Sequence, residues 1–391
     1  MKRKKDSAAV VRASQRGNEA KGKVEEAKID QLCPYFDNLP SHLTAHILLQ
    51  LPLKSLLICK CVCKYWKTMI SEPHFAKLHF EQASTSLIIR SGHRKRVART
   101  MHLLECEPEM FEIGINIHVK LEPIFKLPLR DARSLREKRL NNHNIKRKQK
   151  LNIACNPEND KFKVVNSCNG FLCLCHPDNN IPLVICNPIT EEFIRLPATL
   201  NTARVRMDGQ AAFGFHSKTN EYKVINIWRK RNKFKPLMLE IHTLGTMLWR
   251  NVEVDHEISI WKLECLTCVN DTLHWIRHDN GKRSILCFSF ESERFQSFPS
   301  PPYAFGNMRY ESCMGELRGF LYIGDVSLHD VTLWVMNEYD IAESWTKVYN
   351  IDTSVGTSSE YTEVISHIPS LISLKDVVKG DNIEVLNIHS R

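Results

Sequence analysis

Cysteine is the residue in this chain best suited by type to do chemistry, and there are fourteen of them in 391 residues. Cys59, Cys61 and Cys63 alternate; Cys173 and Cys175 are two apart; Cys265 and Cys268 stand three apart. A zinc site needs four converging ligands, usually as two paired knuckles. Only Cys265-Leu-Thr-Cys268 has the spacing of a knuckle, and no second such pair exists. Cys173 and Cys175 fall on one face of an expected strand, which is core placement. His42 and His46 stand four apart on an expected helix, but the residue after His42 is Leu43, so the HExxH arrangement of a zinc hydrolase is missing. There is no glycine-rich phosphate loop, no GxSxG elbow and no kinase loop set. No cysteine is singled out by a neighbouring His or Arg. The expectation is a non-catalytic chain with no metal and no cofactor.

With chemistry set aside, the elements come forward. From about Asp37 to Phe80 the sequence reads as a small helical module. Pro40 suits a first turn, because its missing N–H would have no partner there. Leu43, Ile47 and Leu51 recur at helical spacing with Leu48 alongside. Pro52 then disfavours helix at Leu51 and marks a break. A second run from Pro52 brings Leu53, Leu56 and Leu57 to one side, and a third carries Cys63, Trp66 and Ile70 at spacings of three and four. Three helices of this size lie near the lower limit for independent folding. Apolar residues crowd more than one face, so a partner protein is expected to cover some of them.

After Glu81 short β-branched and aromatic runs separated by turn residues take over. One class of segment begins at Leu183 (LVICNPITEEFIRLP) and recurs from Leu239, Ile285 and Leu333, at steps of 56, 46 and 48 residues. A second class alternates with it: SCNGFLCL, GFHSKTNEYKVINI, CVNDTLHWI and GELRGFLYI. About four strands per step of roughly fifty residues suits the blades of a kelch-type propeller, with room for about six units over 84–391. A large sandwich is the alternative. Ring closure would set SLIIRS near Ser86 beside IPSLISL near Ile368 and remove exposed edges.

The net charge of +10 sits in two segments: residues 1–30 carry +4 and residues 126–150 carry +8, so the remainder is slightly acidic. KRKK near the start and IKRKQK at 145–150 have the composition of nuclear-import signals, with solvated charge as the plainer reading. The segment 1–33 reads as a disordered basic tail and 126–150 as a basic loop insertion. A nucleic-acid-binding regulator using these runs and 229–235 is the competing class. No interleaved aromatics and no finger or RNA-recognition signature accompany them, so nucleic acid is disfavoured. There is no signal-peptide core and no apolar stretch of about 18 residues, so no membrane is implied. The expected compartment is reducing, the nucleus and/or the cytoplasm, with free thiols.

Residues 34–80 resemble the F-box, whose plant versions read LPxxLxxxILxxLPxKSLxxxxxVCKxWxxLIxxPxF. Leu39, Pro40, Leu43, Ile47, Leu48, Leu51, Pro52, Lys54, Ser55, Leu56, Val62, Cys63, Lys64, Trp66, Ile70, Pro73 and Phe75 stand at the matching places. Cys59, where an aromatic is common, and Met69, where leucine is common, depart from the pattern but stay apolar. The strings NSCNGFLCL, NPITEEFIRLP, FGFHSKTNEYKVI and SWTKVY resemble the F-box-associated domain of plant proteins, which would account for 81–391. The resemblance implies an adaptor subunit of a Skp–cullin–F-box ubiquitin ligase. The F-box would dock on a Skp-family adaptor, and through it a cullin, while the β domain recruits an unknown protein substrate. Helix-in-groove contact with the adaptor is expected from Leu39, Pro40, Leu43, Ile47, Leu51, Leu53 and Leu56, with Leu48 and Pro52 beside them. Val62 and Trp66 are candidates for the same interface or, with Ile70, for holding the helices together. Substrate-contacting loops are sought near Asp208, Asn232, Asp279 and Tyr303.

Overall fold

A computed structural model describes residues 39–93, 96–97, 100–104, 123–126, 163–175, 182–198, 207–230, 238–254, 263–279, 282–302, 311–326, 330–352, 361–378 and 383–387. The N-terminal tail and most of 126–150 lie outside the described residues, as do Asn232 and Tyr303. The chain divides into two compact units between His79 and Phe80.

The first unit is helical. Pro40 and Pro52 stand as N-caps of α1 (Ser41–Leu49) and α2 (Leu53–Cys59), where a missing N–H costs nothing. Helix α3 (Lys64–Ile70) is capped by Cys63, whose sulfur accepts the Trp66 backbone N–H at 3.4 Å. Helix α1 ends at Leu49, so Leu51 lies in the break that Pro52 enforces. A fourth helix, α4 (Pro73–Gln82), follows the expected three. It begins at Pro73, a residue suited to a first helical turn. Leu48, Leu53, Leu56, Ile70 and Phe75 form the buried interior of this unit.

The second unit is mainly β among the described residues. Its described strands form five antiparallel sheets. Blade 1 holds β1 (Ser86–His93), β2 (Arg96–Val97), β3 (Thr100–Leu104) and β4 (Pro123–Lys126). Blade 2 holds β5 (Lys163–Cys168), β6 (Phe171–Cys175), β7 (Pro182–Asn187) and β8 (Glu192–Arg195). Blade 3 holds β9 (Met207–His216), β10 (Glu221–Lys230), β11 (Met238–Thr243) and β12 (Arg250–Val252). Blade 4 holds β13 (Leu263–Val269), β14 (Thr272–Asp279), β15 (Lys282–Ser289) and β16 (Arg294–Phe298). Blade 5 holds β17 (Glu311–Leu317), β18 (Phe320–Val326), β19 (Asp330–Met336) and β20 (Trp345–Asp352). The described sheets are arranged as the blades of a propeller; the expected count of about six falls in part on 105–122 and 127–162, which lie outside the described residues.

Closure is by a strand exchange. β21 (Tyr361–His367) pairs antiparallel with β1, Ser86 opposite His367 and Ile88 opposite Ile365. The strand beside SLIIRS is therefore the one just before IPSLISL. The chain then runs on to blade 2, where α5 (Leu374–Val377) and β22 (Leu386–Asn387) follow, β22 pairing with the outer strand β8. Asn187, fully buried, fastens the crossing: Nδ2 donates to Ser370 O at 3.0 Å and Ile372 O at 2.8 Å. Its Oδ1 accepts from the N–H groups of Ile189 at 2.8 Å and Thr190 at 3.3 Å. Glu192 completes the clasp by accepting from Ser373 Oγ at 2.9 Å and Leu374 N at 2.8 Å.

Apolar seams hold neighbouring blades together. Phe171, Ile185, Phe213, Tyr222 and Trp249 fill the seam of blades 2 and 3. Ile225, Leu239, Leu273, Trp275 and Phe288 fill that of 3 and 4. Ile276, Phe298, Ile323, Met336 and Trp345 fill that of 4 and 5. Each such side chain contributes about 1.5–3 kcal/mol on burial. The inner hairpins turn tightly at Asn169-Gly170, Asn270-Asp271 and Arg318-Gly319, all with positive φ. These are the conformations that two-residue hairpin turns require. Gly170 is irreplaceable on packing grounds too, since a Cβ there would lie 2.1 Å from Ser370 Cβ.

Candidate functional site

Two surfaces are candidates, one in each unit. In the helical unit Leu43 and Ile47, one turn apart on α1, are 43% and 46% exposed. Thr44 and Leu48 form the buried stripe of the same helix. Pro40 and Pro52 are exposed, while Leu39, Leu51 and Trp66 are half-buried. Val62 is 47% exposed, so it does not hold the helices together; Ile70 does. Leu48, Leu53 and Leu56 are buried within the chain. Of the expected interface residues, these three are placed as core, because the 3.6-residue period carries them to the inner side of short helices. Ile58 and Tyr65 are exposed apolar residues that the sequence reading did not single out. Their motif positions are variable ones, so the pattern carried no signal for them.

Charge reinforces the picture. Residues 39–71 contain Lys54, Lys60, Lys64 and Lys67 and no carboxylate. The surface is apolar with a basic surround. His42 and His46 are both exposed beside Leu43 and Ile47.

In the propeller the inner strands of the five described sheets line a cavity of about 410 Å³. β5, β9, β13, β17 and β21 each contribute to its wall, and Ser366 Oγ on β21 donates to Glu316 O at 3.4 Å, joining the last blade to the first. Lys163 and Glu264 bring the charges to this wall, with Asn166, Gln210, Cys265 and Cys313 between them. Cys265 sits at a bulge of β13 with φ of 54° and donates its thiol to Ser312 O at 2.8 Å. Burial pushes the Cys265 thiol up to about 12, so it is protonated at neutral pH and a poor nucleophile. Behind the wall, buried Arg283 contacts Asp325 Oδ1 at 3.1 Å and Ser312 Oγ, and Ser312 donates to the same Asp325 oxygen at 2.7 Å. That network satisfies a buried cation and fixes blade 4 to blade 5. The cavity offers shape and hydrogen bonds rather than an activated nucleophile or an acid–base pair. Among the described residues no group of three or more His, Cys, Asp or Glu is placed to hold a metal ion.

The two ends of the propeller differ. One carries the tight turns just described. Asp208 near the start of β9 and Asp279 at the end of β14 lie at the other.

Comparison with known proteins covers both units. The family model described as the F-box associated beta propeller domain matches residues 116–374, and that of the F-box domain matches 36–78. An F-box/kelch-repeat protein of Arabidopsis thaliana is 25% identical over 336 residues, covering 84% of this chain and 83% of its own. An F-box protein of the same plant is 26% identical over 345 residues, covering 81% and 73%. Likeness to solved structures is slight: an exo-β-1,3-galactanase from Clostridium thermocellum gives a TM-score of 0.33 at 10% identity over half of each chain, too low to bear on fold or function. The chain belongs to the plant F-box proteins that carry an F-box-associated β-propeller. Such a pairing is that of a substrate-receptor type protein.

Proposed function

We propose that this chain is the substrate-recognition subunit of a Skp–cullin–F-box ubiquitin ligase. Its helical unit docks on a Skp-family adaptor, which connects it to a cullin, and its propeller presents a protein substrate for ubiquitin transfer. The observation that carries the reading is the exposed apolar pair Leu43 and Ile47 on a small unit whose own core is already complete without them. Pro40, Pro52, Val62, Ile58 and Tyr65 extend the candidate contact, and Leu39, Leu51 and Trp66 border it. Leu48, Leu53 and Leu56 support it from beneath.

The chain acts by holding two proteins near one another and so raising the effective concentration of substrate at the transfer enzyme. It supplies no catalytic group of its own. The loop end of the propeller around Asp208 and Asp279 is the proposed substrate face. The nucleus and the cytoplasm are the proposed places of action. Affinity capture under a proteasome block tests the function as a whole, comparing the intact chain with one lacking residues 37–80. A substrate should associate with both chains, but carry ubiquitin conjugates only with the intact one. Equal conjugation with both would contradict the reading.

A further inference from the structure

The cavity among the inner strands has a polar mouth and a mixed interior. Lys163, Gln210, Glu264 and Ser312 all stand within the first four residues of β5, β9, β13 and β17. That is the end away from the tight turns, and Asp208 lies at it too. At the turn end Ser167 Oγ lies 2.8 Å from His367 Nδ1 and Ser366 Oγ donates to Glu316 O, tying β21 to both β5 and β17. Val165, Leu266, Trp275, Met314 and Ile365 supply the apolar stretches of the wall.

Two of the inner strands are bent where they form this wall. β5 bulges between Val164 and Asn166, and β13 between Glu264 and Thr267. Val165 therefore has no partner on β6, while Cys265 and Leu266 share the place opposite Trp275. All of these residues line the cavity. Bulges re-aim side chains and concentrate beside binding sites. The positive φ of Cys265 is uncommon for a cysteine in a strand, and such strain collects where a ligand is held.

Most polar groups on the wall are already matched. Asn166 donates to Phe213 O at 2.7 Å and accepts from Phe213 N at 3.1 Å. Gln210 Nε2 donates to Leu263 O at 3.3 Å, and Cys265 and Ser312 are held in the bonds given above. Glu264, the one carboxylate among the described lining residues, is engaged by His278 Nε2 at 3.2 Å. Two groups are left over. Lys163 has no ion-pair partner among the described residues, and Thr267, only 8% exposed, has no hydrogen bond among them. Buried hydroxyls ordinarily have a partner, so Thr267 leaves a place for a polar atom inside the cavity. Lys163 leaves a place for an anion at its mouth. A single ammonium above an apolar wall suits a monoanion with an apolar body, whereas phosphates are held by several charge-assisted donors at once. The volume fits as well, since sites for drug-sized ligands span about 300–1,000 Å³.

We propose that this cavity is a binding site for a small amphipathic carboxylic acid, its carboxylate meeting Lys163 at the mouth and its apolar body lying along Val165, Leu266 and Met314. The ligand would sit at the same end of the propeller as Asp208 and so become part of that surface.

The test uses the full chain and three probes of one size: 2-naphthoate, 2-naphthylmethanol and 2-naphthylmethylamine. Each is titrated by ligand-observed saturation-transfer NMR, with neither adaptor nor substrate present. 2-Naphthoate should bind at least about tenfold more tightly than the amine, as one attractive and one repulsive contact with a lysine at the rim would give, with the alcohol between them. Lys163→Glu, at an exposed strand start, should reverse that order. Cys313→Phe, which places a ring at an exposed position of the wall, should abolish binding of all three. The proposal is overturned if the parent chain binds none of the probes, or binds the amine as well as the carboxylate. Binding that survives Cys313→Phe unchanged would place the probe elsewhere and overturn it too. The comparison of charges is made on the unsubstituted protein, so a poorly folding variant does not blunt it.

Discussion

Trp249 donates its indole N–H to the carbonyl oxygen of Pro197 at 2.9 Å, and so pins the outer strand region of blade 3 to the exit of blade 2. The same device recurs two blades on, where Trp345 donates to Pro299 O at 3.2 Å. Both indoles are nearly fully buried. A tryptophan opening the last strand and a proline just after the previous blade's last strand form a repeated inter-blade staple. Trp249→Phe keeps most of the apolar contact but leaves the Pro197 carbonyl without its donor. The expected cost is about 1–3 kcal/mol in urea unfolding, with a similar loss for Trp345→Phe.

The C-terminal clasp rests on a single amide. Asn187→Asp keeps size and shape while replacing the Nδ2 donor by an acceptor facing the carbonyls of Ser370 and Ile372. Unfolding free energy should fall by about 2–4 kcal/mol, since two buried carbonyls lose their donor and a carboxylate takes its place. Limited proteolysis should then cut after residue 367 sooner than in the parent. Deleting 361–391 also removes β21 from the edge of β1, and cooperative unfolding of the propeller should be lost.

Acid sensitivity follows from two buried histidines. Burial lowers His274 and His367 to about 3, although Tyr339 OH lies 2.9 Å from His274 Nε2 and Ser167 Oγ lies 2.8 Å from His367 Nδ1. Their unfolded pKa is about 6.5. The folded state therefore binds fewer protons than the unfolded one between about 6.5 and 3. Their contribution is fully present above about pH 6.5 and is lost as pH falls toward 3, at up to about 1.4 kcal/mol per pH unit for each. Urea midpoints should drop between about pH 7 and pH 5, and His367→Asn should flatten that slope by about half.

Much of this organisation was legible in the sequence, but unevenly. The proline breaks at Pro40 and Pro52 set helix starts because proline's constraint is local. The turns at Asn169-Gly170 and Asn270-Asp271 were legible for the same reason, since few residue types accept positive φ. Repeating strand pairs pointed to blades, whereas their closure did not follow from order in the chain: β21 and β22 come last yet pair with β1 and β8. Leu48 and Leu56 match the F-box pattern as well as Leu43 and Ile47 do, and Leu53 stands at a variable place, so the motif alone did not separate core from surface.

Core and surface in the helical unit should part company under mutation. Leu56→Ala removes a fully buried side chain and should destabilise that unit by about 2–5 kcal/mol. Leu43→Asp and Ile47→Asp change exposed positions and should leave its helical circular dichroism and thermal midpoint close to those of the parent.

Titration calorimetry of the full chain against a recombinant Skp-family adaptor tests the central claim most directly. The parent should bind, and Leu43→Asp with Ile47→Asp should weaken binding at least about a hundredfold, in keeping with a charge placed in an apolar contact. Unchanged affinity in the double variant, or no binding by a folded parent, would contradict the docking role assigned to this face.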